Sequence, residues 1–311
     1  MKKIWKLLSV IVVALALGAC TSDGESASDG GDAADKKPAV TVSTSFLRDM
    51  VEQLAGDQVT VETIIPAGED PHGYLARPRD LKKIQGADLV LYHGLHLEAQ
   101  MVEALEVTGV AVTKDFTDED LTMVDQDGES DVDPHFWFDI TLYQKAVATV
   151  AAELVTLTGD ESINDTATAY KEALTELDTW AQAEIDSIPE GQRYLITPHD
   201  AFNYFSQRHG IEVVAPQGIS TQAEASNADI STIASFIVEN EVPAIFAEST
   251  TDPARMQRIQ EAVNADGGKV IVVSGEGQEL FSDSLASEGQ EGDTYIDMFK
   301  HNVNLIVSNL K

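Results

Sequence analysis

The chain has 311 residues, 43% of them apolar and 23% charged; it can build substantial cores, and at roughly 150 residues per domain it predicts two domains. Its 53 acidic against 20 basic residues give a formal net charge of -33, which repels phosphate backbones and argues against nucleic acid as a partner. A single cysteine excludes an intrachain disulfide and a thiolate metal cluster.

At the start, Lys2, Lys3 and Lys6 form a basic region ahead of an apolar run at residues 7–19. That run is shorter than the roughly 20 residues of a spanning helix. It ends in Leu17-Gly18-Ala19-Cys20, which resembles the lipobox of bacterial lipoproteins. The resemblance implies a signal peptide over residues 1–19, cleavage before Cys20, lipidation of its sulfur, and export to the outer face of the cell membrane. Two acyl chains anchor stably where one is marginal. Residues 20–37 are mostly Ser, Gly, Asp and Ala without apolar periodicity, and read as a flexible acidic stalk. The acidic surface beyond the stalk has two readings, concentration of cations near an uptake site or simple solubility in a salty medium.

β-Branched runs then alternate with helical patterns in two sets. The first set of strands is expected at residues 39–43, 59–65, 87–92 and 110–113, the second at 193–197, 211–215, 244–247 and 269–274. Amphipathic stretches at 46–55, 98–107, 230–240 and 253–265 lie between them. Such alternation predicts an α/β fold with two parallel-sheet (βα)4-type domains, 38–160 and 191–311. Between them, Ile163, Ala167, Tyr170, Leu174, Leu177, Ala181, Ile185 and Ile188 recur every three or four residues as one buried stripe. The pattern predicts a long linking helix within 161–190, capped by Asp160 or Asn164 and stopped by Pro189-Glu190-Gly191. At about 1.5 Å per residue it would be near 40 Å long, a stiff connector permitting limited closure over a ligand.

Three of the seven histidines share a setting: Asp70-Pro71-His72, Asp133-Pro134-His135 and Thr197-Pro198-His199. The preceding proline fixes φ and stiffens each turn. His72 and His199 follow expected strands, and open α/β folds bind ligands at the carboxyl ends of strands. Lone loop histidines are usually solvated surface residues; three in one context point instead to a shared site.

The residues resemble those of the metal-binding solute-binding lipoproteins of bacterial ABC importers for zinc and manganese, from about Val40 to Leu310. Ile65-Pro66-Ala67-Gly68-Glu69-Asp70-Pro71-His72-Gly73-Tyr74 is similar to the first ligand motif of that family, and Ala87-Asp88-Leu89-Val90 with Gly94 and Leu97-Glu98 continues it. Asp133-Pro134-His135-Phe136-Trp137-Phe138-Asp139 and His199-Asp200-Ala201-Phe202-Asn203-Tyr204-Phe205 resemble the second and third. Phe281-Ser282-Asp283-Ser284-Leu285, with Gly292-Asp293-Thr294-Tyr295 and Asn302-Val303, resembles the terminal one. The resemblance implies metal ligands His72, His135, His199 and Asp283, two from each half, and a monomer that passes its ion to an ABC permease. Three imidazoles and a carboxylate suit Zn2+ and tolerate other divalent ions, Mn2+ among them. With reference pKa values of about 6.5, such imidazoles would hold metal above neutral pH and lose it as pH falls through roughly 6 to 5.

Two departures bear on cargo. Zinc-specific members often carry a His-rich loop before the second ligand, where this chain has an acidic stretch at residues 115–133. Manganese-type members typically have Glu at the third position, where this chain has His199, a softer donor favouring zinc. His93 and His96 could form a second site but read better as a partly exposed loop, and His209 before Gly210 as a cation at a helix C-terminus. An exported zinc hydrolase is the rival class, and the chain has neither a His-Glu-x-x-His nor a Gly-x-Ser-x-Gly motif.

Overall fold

A computed structural model describes residues 36–126 and 128–311, so the signal segment, Cys20 and most of the stalk lie outside the described residues. The first half runs β1 (Ala39–Val42), α1 (Ser45–Ala55), β2 (Thr60–Thr63), α2 (Pro78–Gly86), β3 (Leu89–Tyr92), α3 (Val102–Thr108) and β4 (Val110–Ala111). Its strands pair in parallel in the order β2-β1-β3-β4. Val40, Val42, Val90 and Leu91 are buried, as expected of strands covered by helices on both faces. The strands are shorter than their apolar runs, yet beyond β2 the Ile64 and Ile65 N–H groups still donate to Val42 and Ser43 carbonyls.

An antiparallel hairpin follows, β5 (Met123–Gln126) and β6 (Glu129–Val132), in the acidic stretch where no strand was expected. Next comes α4 (Ile140–Thr158), started by the Asp139 carboxylate accepting the Thr141 N–H at 2.7 Å and ended by Gly159 at φ 73°. The linking helix α5 spans Ser162–Asp186, and the Asp160 carboxylate accepts the Ser162 N–H at 2.9 Å. Its seven buried residues, Ile163 to Ile185, are those of the expected stripe.

The second half runs β7 (Tyr194–Ile196), α6 (Asn203–His209), β8 (Glu212–Val214), α7 (Asn227–Glu239), β9 (Ala244–Phe246), α8 (Ala254–Ala265), β10 (Ile271–Val273) and α9 (Tyr295–Leu310). Its strands form two parallel pairs, β7-β8 and β9-β10, with β7 lying against β9, in place of one continuous ladder. The fold is thus α/β with a parallel-sheet region in each half and a long helix between them.

That helix is not a bare rod between separate cores. It packs on α4, α9 and α1, and one apolar cluster runs from Val40 and Phe46 through Leu174 to Phe246 and Tyr295. Tyr143 of α4 stacks on Tyr295 of α9 with ring centroids 3.7 Å apart and planes within 6°. Each fully buried large apolar side chain stabilises by about 1.5–3 kcal/mol, so wide separation of the halves would expose a shared core. Limited closure is what such packing permits.

Candidate metal centre

The two Asp-Pro-His segments fold alike. The Asp70 carboxylate accepts the His72 N–H at 2.8 Å, and the Asp133 carboxylate accepts the His135 N–H at 2.9 Å. Each is a side-chain turn that proline makes rigid. In the third segment the Thr197 hydroxyl donates to the His199 carbonyl instead, at 2.9 Å. His199 stands just beyond β7, bridged to Gln217 in continuation of the β7-β8 pair, at the carboxyl end of the strand.

Asp283 lies outside any helix, and its backbone is fixed from several directions. Asn302 clamps Phe281 through both backbone groups, accepting the N–H at 2.9 Å and donating to the carbonyl at 2.8 Å. The Trp137 indole N–H donates to the Ser282 carbonyl at 2.9 Å, and Ser284 accepts the Gly68 N–H at 2.7 Å. Gly292, at φ 88°, passes so close to Phe281 that a Cβ would lie 2.6 Å from its ring. The terminal motif is therefore a mount for one carboxylate.

These supports bring His72, His135, His199 and Asp283 together, with one candidate ligand atom from each within 4.8 Å of all the others. All four are buried, His135 and His199 completely. Asp283 Oδ1 is 3.2 Å from His135 Nε2, and Oδ2 is 3.2 Å from His199 Nε2. Neither Asp283 oxygen, nor His199 Nε2, has a hydrogen-bond partner. Buried polar atoms without partners cost about 1–3 kcal/mol each, and here they converge on one point. That is the donor arrangement a divalent cation needs. Among the described residues no other such grouping of His, Cys, Asp and Glu occurs.

Behind two of the rings stand carboxylates. His135 Nδ1 donates to Asp133 at 2.6 Å and His199 Nδ1 to Glu248 at 2.5 Å, which fixes both rings with Nε2 toward the centre. Burial opposes charge on His135, but Asp133 and Asp283 outweigh it and raise its pKa to about 9. Burial likewise opposes charge on His199, and Glu248 and Asp283 raise its pKa well above the usual range. Burial also disfavours ionised Asp283, yet His199, His135 and His72 hold it well below the carboxylate range. For His72 burial outweighs Asp283, whose Oδ2 stands 3.9 Å from Nε2, and pushes the ring down to about 3. The expectation of three alike imidazoles is therefore corrected: carboxylates favour the charged form of His135 and His199, and burial favours the neutral form of His72. His72 is secured from the other half of the chain through its backbone, where Gln222 donates to its carbonyl at 2.5 Å and Thr221 bonds Asp70.

The remaining histidines part from the sequence reading. His93 is fully buried, not in a partly exposed loop; its Nε2 lies 2.7 Å from the Thr44 hydroxyl and its ring sits among Phe46, Phe136 and Trp137. His96 is exposed. His209 does end α6 before Gly210, but burial lowers its pKa to about 4, so it is neutral and not the expected cation. Glu248, one acid among 53, is the residue sequence reasoning missed; an acid closing the apolar strand β9 was the available signal.

The model of the ZnuA family, zinc-uptake complex component A, periplasmic, matches residues 40–309. The chain belongs to that family. It is 36% identical over 303 residues to the zinc-binding protein TroA of Treponema pallidum, covering 95% of this chain and 96% of the relative. It is 33% identical over 311 residues to the manganese-binding lipoprotein MntA of Bacillus subtilis, covering 98% of each. A solved structure from work on the metal-binding specificity of TroA superposes with a TM-score of 0.88 at 56% identity, over 89% of this chain and 100% of that one. Relatives of the family thus include proteins named for zinc and for manganese. Among the described residues no helix is long and apolar enough to cross a membrane.

Proposed function

We propose that this protein is the substrate-binding component of an ABC importer, which captures Zn2+ outside the cytoplasm and passes it to a membrane permease. Membership of the ZnuA family supports the transport role. The observation that carries the metal is the convergence of buried ligand atoms from His72, His135, His199 and Asp283, with His199 Nε2 and both Asp283 oxygens left without a partner. Two ligands precede α5 and two follow it, so the ion would clamp the halves, residues 38–160 and 191–311, across the linking helix. Three imidazoles and one carboxylate favour zinc. Mn2+ is the second cargo, a reading favoured by the similarity to MntA. We place the protein on the outer face of the cell membrane, anchored through lipid on Cys20, acting as a monomer.

Binding without turnover fits the site. The carboxylates on the imidazole rings, Asp133 and Glu248, are each occupied behind an imidazole and are not placed as general bases. The test is the metal content of protein purified without chelator. About one zinc per chain is expected in the wild type, and His199→Ala and Asp283→Ala should each lose it; retention of full zinc by both would refute the ligand set.

A further inference from the structure

Glu248 occupies a position that costs the fold stability. It is completely buried at the carboxyl end of β9, between Ala247 and Ser249, and a buried carboxylate is tolerated only when paired and hydrogen-bonded. Its Oε1 has no partner. Its Oε2 has two: the His199 Nδ1–H at 2.5 Å and the Ser282 hydroxyl at 3.1 Å. Ser282 immediately precedes Asp283, and its hydroxyl also lies 3.3 Å from that of Thr250. One carboxylate oxygen therefore touches the third ligand directly and the fourth through its neighbour. Strand geometry explains how. β7 lies against β9, so residues just past their carboxyl ends, His199 and Glu248, meet although 49 positions separate them. The corresponding support of His135, Asp133, is local, only two residues away.

We propose that Glu248 is a positioning residue for the metal: it fixes the His199 ring and the Asp283 segment as a unit, and so sets the affinity of the second-half donors. The inference rests on the reading that the four residues bind the ion. A carboxylate on Nδ1 selects the tautomer that leaves Nε2 free and strengthens it as a donor, and loss of such support typically costs 10–100-fold in affinity.

The test uses the full chain with Zn2+ and Co2+ in competition titrations against a chromophoric chelator, and the visible spectrum of bound Co2+ as a report of ligand geometry. Glu248→Ala should weaken both metals by about 10–100-fold and alter the Co2+ bands. Glu248→Gln, which keeps an oxygen for the Nδ1–H without the charge, should recover part or all of the affinity and most of the spectrum, and it guards against a failure of the alanine variant to fold. Wild-type affinity and spectrum in both variants would overturn the proposal. His199→Ala in the same titration separates the two readings. Its loss of binding beside unchanged Glu248 variants removes the positioning role alone; wild-type binding by His199→Ala removes the ligand assignment itself.

Discussion

The indole of Trp137, two residues past His135, donates to the carbonyl of Ser282, one residue before Asp283, at 2.9 Å. Two candidate ligands 148 positions apart in the chain are thereby held to one another through backbone before any ion is considered. Tyr295 completes the brace by donating to the Trp137 carbonyl at 2.6 Å.

Trp137→Phe keeps most of the apolar volume and removes that donor. Leaving the Ser282 carbonyl unpaired costs about 1–3 kcal/mol. If half of that falls on the loaded form, zinc affinity drops by roughly twofold to twelvefold. A lower melting temperature together with weaker zinc in a chelator competition is the expected pair of results.

Metal uptake should expel protons. Asp133 and Asp283 hold His135 up to about 9, and Glu248 and Asp283 raise His199 well above the usual imidazole range, so without metal the charged forms are favoured near neutral pH, whereas ligating imidazoles are neutral. Binding should therefore release close to two protons at pH 7, on the order set by two displaced imidazolium protons. Affinity should go on rising as pH climbs toward 9, in place of a plateau above neutrality. The sign is opposite for the metal-free fold. A raised folded-state pKa stabilises fully below the unfolded value of about 6.5 and loses that contribution as pH rises through 9. Calorimetry in buffers of different ionisation enthalpy counts the protons, and melting of metal-free protein from pH 6 to 10 checks the stability.

His209 has the reverse linkage. Its folded pKa is lowered to about 4, first by burial, beside Phe205 and Phe299. The stability from keeping it neutral is present above about 6.5 and is lost as pH falls from there through 4, by up to about 3 kcal/mol. His209→Phe should flatten melting temperature against pH across that interval. An unchanged acid slope would place the sensitivity at other residues, with buried His93 the next to examine.

With His199 as a ligand, cargo preference should depend on the pair His199 and Glu248 together. His199→Glu alone would set a carboxylate against the buried Glu248, so the single change should lower stability as well as zinc affinity. His199→Glu with Glu248→Gln removes that repulsion and supplies a harder donor. Its zinc-to-manganese affinity ratio should fall by about an order of magnitude relative to wild type, without needing to invert. Competition titrations with both metals on the three proteins give the ratio.

The linking helix was legible because only one face of it is apolar, and that face alone is buried. The strands were legible to within about two residues, a normal uncertainty at element ends. Helix α4 escaped because its Ala, Val and Leu residues are buried on most sides, which blurs periodicity. The β5-β6 hairpin escaped because acidic residues carry no alternating apolar signal, and backbone pairing such as Val124 with Asp131 holds it. At the site, repeated proline-histidine turns marked the imidazoles, while Asp283 entered only through a family resemblance. Glu248 depends on the adjacency of β7 and β9, and His93 on an aromatic cage; both are tertiary facts that spacing along the chain does not contain.

The most direct test of the central claim is X-ray absorption at the zinc edge of protein loaded with one equivalent of Zn2+. Scattering from three imidazoles and a carboxylate at metal–ligand distances near 2.0–2.1 Å is expected, with loss of one imidazole in His72→Ala. An oxygen-only shell in the wild type, or an imidazole count unchanged in His72→Ala, would contradict it.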